Sequence, residues 1–151
     1  MGDATRLPCD DASLDLVMSM DTWEHIVRDD RVAAETARVL RPGGKLLLAV
    51  PSGMALWSGH DVALGHVRRY ERRDLVRTVE AAGLQVTDIR SWNVLLRPIV
   101  RLRRRSNIEE SEMAPINPVL NAALRAVVAS ERVLPLGRLP GVSLVLRAVK
   151  P

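Results

Sequence analysis

The chain has 151 residues, of which 47% are hydrophobic and 26% charged, a composition that is typical of a folded domain and excludes a low-complexity protein. A single cysteine, Cys9, excludes an intramolecular disulfide and a cysteine-based metal site. Because no apolar run approaches the roughly 20 residues that span a bilayer, and because the polar amino terminus does not resemble a signal peptide, we expect a cytoplasmic protein.

The first half of the chain predicts a strand, a helix and a second strand. The first strand is the mainly apolar segment Leu14 to Met20. Asp29 and Asp30 predict the cap of a helix, which Pro42-Gly43-Gly44 ends. The second strand, Leu46 to Val50, is apolar without interruption, as in a strand covered on both faces. This order predicts a parallel α/β unit in which both strands are buried and helices cover both faces of the sheet.

The second half begins with a segment, Ser52 to Tyr70, in which periodicity disappears, and we expect a long loop there. The loop is too rich in specific side chains to be a linker. The elements predicted after it are a helix from Glu71 to Ala82 with Gly83 as its left-handed cap, a third strand from Leu84 to Trp92, a helix opened by Asn117-Pro118, and a last strand from Val142 to Val149.

Four stretches carry more specific motifs: RVLRPGGKL at 38–46, DLVMSMDTWEH at 15–25, GDA at 2–4 with LP at 7–8, and LWSGHD at 56–61 with GHVRRY at 65–70. Together they resemble the class I S-adenosylmethionine-dependent methyltransferases, in the subgroup that acts on small molecules, quinones and glycan or lipid intermediates. The stretch at 38–46 is the most specific of the four. The resemblance covers residues 2 to about 93 and the last strand.

This resemblance implies a Rossmann-like, doubly wound α/β sheet with an antiparallel last strand, and S-adenosylmethionine as the cofactor. The family's Gly-rich cofactor turn has no counterpart in these residues, because Gly43-Gly44 runs from helix to strand and cannot replace it. We therefore expect one incomplete domain, truncated at its amino terminus. Its parts would be a core half at 1–93, a basic amphipathic insertion at 94–140 and the final strand at 141–151.

The resemblance also assigns roles to residues. Asp3 and Ala4 would face the adenine ring, Met20 and Asp21 would line the floor near the transferred methyl group, and His25 would be the catalytic residue. The residues implied to bind the acceptor substrate are Trp57, His60, His66, Arg69 and Tyr70.

Each of these roles has an alternative. Asp21, Glu24 and His25 could form a solvated acidic turn that caps the next helix, and Asp3 could lie without a partner in a frayed terminus. The acceptor-binding residues could instead pin the loop onto the sheet by hydrogen bonds. The spacing of His60, Asp61 and His66 is poor support for a metal, so we expect no metal site.

The net charge of +4 is concentrated in one place, Arg97 to Arg105, where five Arg occur in nine residues. This segment predicts either a basic lid over the substrate entrance or a peripheral contact with anionic lipid. Nucleic acid is not expected as a partner, because no stacking aromatic side chains lie among these charges.

Two functions from different classes remain. The first is methyl transfer from S-adenosylmethionine to a small-molecule or lipid-linked acceptor, which requires the missing amino-terminal half. The second is a catalytically silent remnant or binding module, which would self-associate through the unpaired sheet edge beside Leu14 to Met20. A nicotinamide-dependent oxidoreductase is a weaker alternative, since that fold also needs the Gly-rich turn and Tyr70 is the only Tyr.

Overall fold

A computed structural model of the protein describes residues 2–105, 117–131 and 133–151, with the side chain of Arg105 left out. The strands in this part of the chain are β1 (Leu14–Met20), β2 (Leu40–Pro51), β3 (Gln85–Trp92) and β4 (Ser143–Val149). The helices are α1 (Asp29–Val39), α2 (Gly59–Ala63), α3 (Arg72–Ala81), α4 (Arg97–Arg105) and α5 (Pro118–Ser130), with short 3-10 helices at Trp23–His25 and Met54–Leu56.

The four strands form one sheet in the order β1-β2-β4-β3. β1 runs parallel to β2, with Met18 opposite Leu47 and Met20 opposite Ala49. β4 is antiparallel to both of its neighbours, β2 and β3. The structure thus confirms an open α/β sheet whose last strand is antiparallel.

The hydrophobic core lies on one face of this sheet, beneath α1 and α3. Leu46 and Leu48 of β2 point into it, and so do their β4 partners Ala148 and Leu146. Val32 of α1 and Leu75 and Val79 of α3 close the core from above. Burying Leu and Val side chains of this kind stabilises a fold by about 1.5–3 kcal/mol each.

β1 differs from its prediction as a buried strand. It is an edge strand of the described sheet, and its side chains on the face opposite the core are open: Leu16, Met18 and Met20 are 50%, 59% and 42% exposed. The predicted cover is thus missing, among the described residues, from the face of β1 opposite the core. An apolar run in the sequence does not by itself establish that both faces of a strand are covered.

Several local predictions can now be compared with the structure. Asn117 caps α5 as predicted, since its side-chain oxygen accepts a hydrogen bond from the Val119 N–H at 2.9 Å. Asp29 and Asp30 do not cap α1 but lie in its first turn, where their charge suits the helix dipole. The predicted loop at 52–70 contains α2 and a 3-10 helix.

None of the described helices has the length and apolarity needed to cross a membrane.

The amino-terminal end of β2, which follows α1 directly, depends on two glycines. Gly43 has a φ of +78°, and its N–H donates to the carbonyl of Lys150 at 2.8 Å. A Cβ on Gly44 would lie 2.8 Å from the Arg41 carbonyl oxygen and 3.1 Å from that of Leu14. Since both oxygens belong to the backbone, neither can move aside without displacing a strand. This close approach is what the PGG motif provides.

We predict that Gly44→Ala lowers the free energy of unfolding by about 1–3 kcal/mol, the usual cost of forcing extra atoms into a packed site. Gly59→Ala is the matched control, because a Cβ at Gly59 meets nothing within 4 Å, and we expect a change within about 0.5 kcal/mol. Urea unfolding followed by circular dichroism measures both. Equal midpoints for the two variants would contradict this account of Gly44.

Candidate functional site

The candidate site begins where β1 ends. Asp21 follows the strand with a φ of +46°, a left-handed conformation that is uncommon outside glycine. Its N–H donates to the Ala49 carbonyl at 3.0 Å, which ties the turn to β2. Because β1 and β2 are parallel, their carboxyl ends meet at one edge of the sheet, where open α/β sheets bind ligands. Met20 and Asp21 are exposed at that edge.

Residues 21–25 follow β1 and are called the tip of β1. They include a short 3-10 helix, in which some side chains point into the protein and others point to solvent. Trp23 and Glu24 are 1% and 0% exposed, whereas His25 is exposed. The tip is therefore not the solvated acidic turn considered above, since its central carboxylate is buried. Burial is the first cause that raises the pKa of Glu24, and the charge of Asp21 raises it further.

The tip of β1 contacts the 52–70 segment. The rings of His25 and His66 meet edge to face, with centroids 4.8 Å apart. The Val67 N–H donates to the Glu24 carbonyl at 2.8 Å, and His25 Nδ1 lies 3.2 Å from the Gly65 carbonyl oxygen. The fold thus brings a residue predicted to be catalytic beside one predicted to bind the acceptor.

Asp61 holds the 52–70 segment in place. Its side chain is fully buried and lies 2.7 Å from Arg69 Nε, 2.9 Å from His66 Nδ1 and 2.8 Å from Arg104 Nη1. Its Oδ2 also accepts the Ser58 N–H at 3.0 Å. Burial alone would raise the pKa of Asp61, but the hydrogen bond from His66 and the charges of Arg69 and Arg104 lower it below its usual value. Asp61 is therefore an ionised centre that ties together the 52–70 segment and joins it to Arg104 of α4.

Two of the predicted acceptor-binding residues have internal partners. Arg69 is 5% exposed and pairs with Asp61, and Tyr70 is 3% exposed. The Tyr70 hydroxyl lies 2.9 Å from Asp29 Oδ2, to which it donates. Burial and the nearby Asp29 charge raise the pKa of Tyr70. Arg69 and Tyr70 thus fix the shape of the segment, whereas Trp57, His60 and His66 are only half-buried.

Asp3 and Ala4 lie in an amino-terminal segment that is anchored. Asp3 Oδ1 accepts hydrogen bonds from the Thr5 N–H at 2.8 Å and the Thr5 hydroxyl at 2.7 Å, and these bonds lower the pKa of Asp3. Farther along, Glu35 Oε1 accepts the Leu7 N–H at 2.6 Å. The alternative of a frayed terminus with an unpartnered Asp3 is therefore wrong.

The basic segment forms the helix α4. Some of its Arg side chains bond to groups of the protein, and others are exposed on the surface. Arg97 Nη1 donates to the Gly141 carbonyl at 2.6 Å, and Arg104 bonds to Asp61. Arg101 is exposed, and the apolar neighbours Ile99 and Leu102 are 52% and 72% exposed. The side chain of Arg105 lies outside the described residues.

Sequence reasoning undervalued two acidic residues, Glu24 and Asp61. Both are 0% exposed, although Asp and Glu are almost never buried unless they are paired. The sequence offers a partial signal for Glu24, because it lies next to Trp23 shortly after an apolar strand. Asp61 also has a local signal, because Ser58 and Asp61 have the Ser-x-x-Asp spacing of a capping box, but its pairing with Arg104, 43 positions away, has none.

We predict that Asp61→Asn destabilises the protein by about 3 kcal/mol, since removing one member of a buried ion pair leaves its partners uncompensated. The control is Asp74→Asn, because Asp74 is an exposed residue whose ion pair with Arg77 has an N–O distance of 3.3 Å. Such a surface pair contributes about 0–1 kcal/mol. Urea titration of both variants measures the difference, and similar losses in both would contradict the role given to Asp61.

Comparisons with known proteins now bear on this site. Residues 1–48 match a family described as "Methyltransferase domain". A Mycolicibacterium smegmatis protein named as a probable S-adenosylmethionine-dependent methyltransferase is 35% identical over 89 residues, which are 58% of this chain and 35% of that protein. The chain thus spans about a third of the length of this curated relative.

The fold also matches solved structures. Phosphoethanolamine N-methyltransferase 2 of Haemonchus contortus, in complex with S-adenosyl-L-methionine, is 21% identical with a TM-score of 0.57; the match covers 99% of this chain and 36% of that one. The [4+2]-cyclase SpnF is 23% identical with a TM-score of 0.60, covering 99% and 55%. A cyclase on this fold means that the fold alone does not define the reaction. Together these findings show that the chain has the Rossmann-like fold of these structures and is similar over part of its length to proteins named as S-adenosylmethionine-dependent methyltransferases.

Proposed function

We propose that this chain takes part in methyl transfer from S-adenosylmethionine to a small-molecule or lipid-linked acceptor. The observation that carries the proposal is the contact between His25 at the tip of β1 and His66 in the 52–70 segment. This contact places the 52–70 segment, which has the most specific polar side chains, next to the edge of the sheet. That edge is where α/β sheets bind ligands. The methyltransferase domain match over residues 1–48 includes the whole of this tip.

The chemistry requires alignment more than acid–base catalysis. A nucleophilic atom of the acceptor attacks the methyl carbon as the carbon–sulfur bond breaks, so donor and acceptor must be held in line and shielded from water. In the proposal Asp3 and Ala4 face the adenine ring, and Met20 and Asp21 lie near the sulfonium. His25 would accept the proton that an oxygen or nitrogen nucleophile loses, because a neutral imidazole nitrogen can act as a general base.

The half-buried side chains Trp57, His60 and His66 would contact the acceptor directly. Arg69 and Tyr70 would act on acceptor choice through the shape of the segment, because their polar groups bond to Asp61 and Asp29. The sequence contains no Gly-rich strand-to-helix turn for the cofactor. The proposal therefore includes a second segment that supplies this turn.

We predict that Asp21→Asn weakens binding of S-adenosylmethionine about tenfold, the usual effect of losing one charged interaction. Asn tolerates the left-handed backbone at this position, so the change removes charge without strain. The control is Asp15→Asn, because Asp15 is an exposed residue of the same strand. Isothermal titration calorimetry is done on the 151-residue chain and on the product extended by any in-frame upstream coding sequence. Absence of binding in both would contradict the proposal.

A second candidate function is a catalytically silent binding module. The open face of β1, formed by Leu16, Met18 and Met20, favours it, together with the free edge of that strand in the described sheet. Unpaired strand edges are templates for association. The same calorimetry discriminates, since micromolar binding of S-adenosylmethionine by the 151 residues alone rules out a silent module. Self-association without cofactor binding in either product favours it.

The helix α4 supports a peripheral membrane contact for a lipid-linked acceptor. Arg101 and its apolar neighbours Ile99 and Leu102 are exposed together. We predict that the double variant Arg101→Gln/Leu102→Gln loses most of its co-sedimentation with phosphatidylglycerol vesicles, because each cation near such a surface contributes about 1 kcal/mol. Arg77→Gln, an exposed change on α3, is the control. Failure of the unmodified chain to sediment with these vesicles would favour the basic-lid interpretation.

A further inference from the structure

Glu24 is a carboxylate buried in the interior of the protein. Its side chain is 0% exposed, and neither carboxylate oxygen has a hydrogen-bond partner among the described residues. An ionised carboxylate in such a place costs several kcal/mol unless a cation or donors compensate it. The buried Arg69 is near enough for its guanidinium to interact with the charge of Glu24, but its hydrogen bonds go to Asp61 and to the Ser52 carbonyl. The Glu24 oxygens therefore remain open to a proton or to a bound cation.

Two imidazoles lie within reach of this carboxylate. His66 Nε2 is 3.9 Å from Glu24 Oε1. Glu24, His25 and His66 each offer one ligand atom, and these three atoms all lie within 4.8 Å of one another. Two histidines and one carboxylate around a common point are a frequent ligand set for divalent transition metals.

The hydrogen bonds of the two histidines leave the correct nitrogen available. His66 Nδ1 lies 2.9 Å from Asp61 Oδ1, and His25 Nδ1 lies 3.2 Å from the Gly65 carbonyl oxygen. Both oxygens can only accept, so Nδ1 carries the proton in each neutral ring and Nε2 keeps its lone pair. An imidazole oriented in this way by a carboxylate or carbonyl is the usual arrangement of metal-binding histidines. In His66 the nitrogen left available is the one that lies 3.9 Å from Glu24 Oε1.

We propose that Glu24, His25 and His66 form a binding site for a divalent transition-metal cation such as Zn²⁺ or Co²⁺. Ligand atoms about 2.1 Å from zinc in a tetrahedral site are roughly 3.4 Å apart. The three atoms, now within 4.8 Å of one another, must therefore approach by up to about 1.4 Å, and this movement falls to His25, whose side chain is exposed. Three protein ligands leave a fourth position open, as in sites where the metal binds water or substrate.

This assignment differs from the metal cluster considered in the sequence, His60, Asp61 and His66. The Asp61 carboxylate already accepts bonds from Arg69, Arg104 and the Ser58 N–H, so it orients His66 instead of coordinating a cation. Glu24 replaces it as the ligand because its oxygens have no other partner. The metal site shares His25 and His66 with the methyl-transfer proposal, but its test does not depend on that proposal, because cation binding is measured without S-adenosylmethionine.

The experiment titrates the chelator-treated 151-residue chain with Zn²⁺ by calorimetry and with Co²⁺ by visible absorption. We expect one equivalent to bind with micromolar or tighter affinity. His25→Ala changes an exposed side chain and should weaken binding about tenfold or more, with loss of the Co²⁺ spectrum. His60→Ala is the matched control and should bind as the unmodified chain does. Binding that is absent, or that falls with His60→Ala and not with His25→Ala, overturns the proposal.

Glu24→Gln supplies a second readout that separates metal binding from misfolding. The neutral amide removes the buried charge, so the metal-free variant should melt at the same temperature as the unmodified chain or higher. Zn²⁺ should raise the melting temperature of the unmodified chain, because a ligand that binds only the folded state stabilises it. The variant should lose this gain. An equal gain in both proteins would overturn the role of Glu24.

Discussion

The buried carboxylate of Asp61 is the interaction on which the candidate site depends. It joins Arg69, His66 and the α4 residue Arg104, so one charge fixes the 52–70 segment, orients an imidazole and attaches the basic helix. Two guanidinium groups in contact with one carboxylate would be unstable in isolation. They are tolerated here because Asp61 remains ionised and the Ser58 N–H completes its hydrogen bonding.

The backbone organisation was largely readable from the sequence because its signals are local. The glycines at 43 and 44, the Asn117 cap and the apolar run of β2 each act within a few residues, and the structure confirms the elements that they predict. The fold class followed from the order of those elements. Residues Gly43 and Gly44 were the strongest signal, since backbone conformation and close approach allow little else there.

What the sequence did not provide depends on distant contacts. The exposure of Met18 depends on what covers the face of the sheet opposite the core, and no periodicity within β1 encodes this. The burial of Glu24 and the pairing of Asp61 with Arg104 arise only when segments some 40 residues apart meet. From the sequence, Glu24 could belong to a solvated turn, and Asp61 could either bind the acceptor or pin the loop by hydrogen bonds; the structure places both carboxylates inside.

The position of β4 within the sheet constrains how the protein is made on the ribosome. β4 lies between β2 and β3, yet it is synthesised after both of them. β2 and β3 consequently cannot join one sheet until residue 149 has emerged, although each is complete long before. During that interval two nascent strands have exposed edges, a condition that favours aggregation of partly made chains. A cell would then benefit from holding this nascent polypeptide on a chaperone until its central strand arrives.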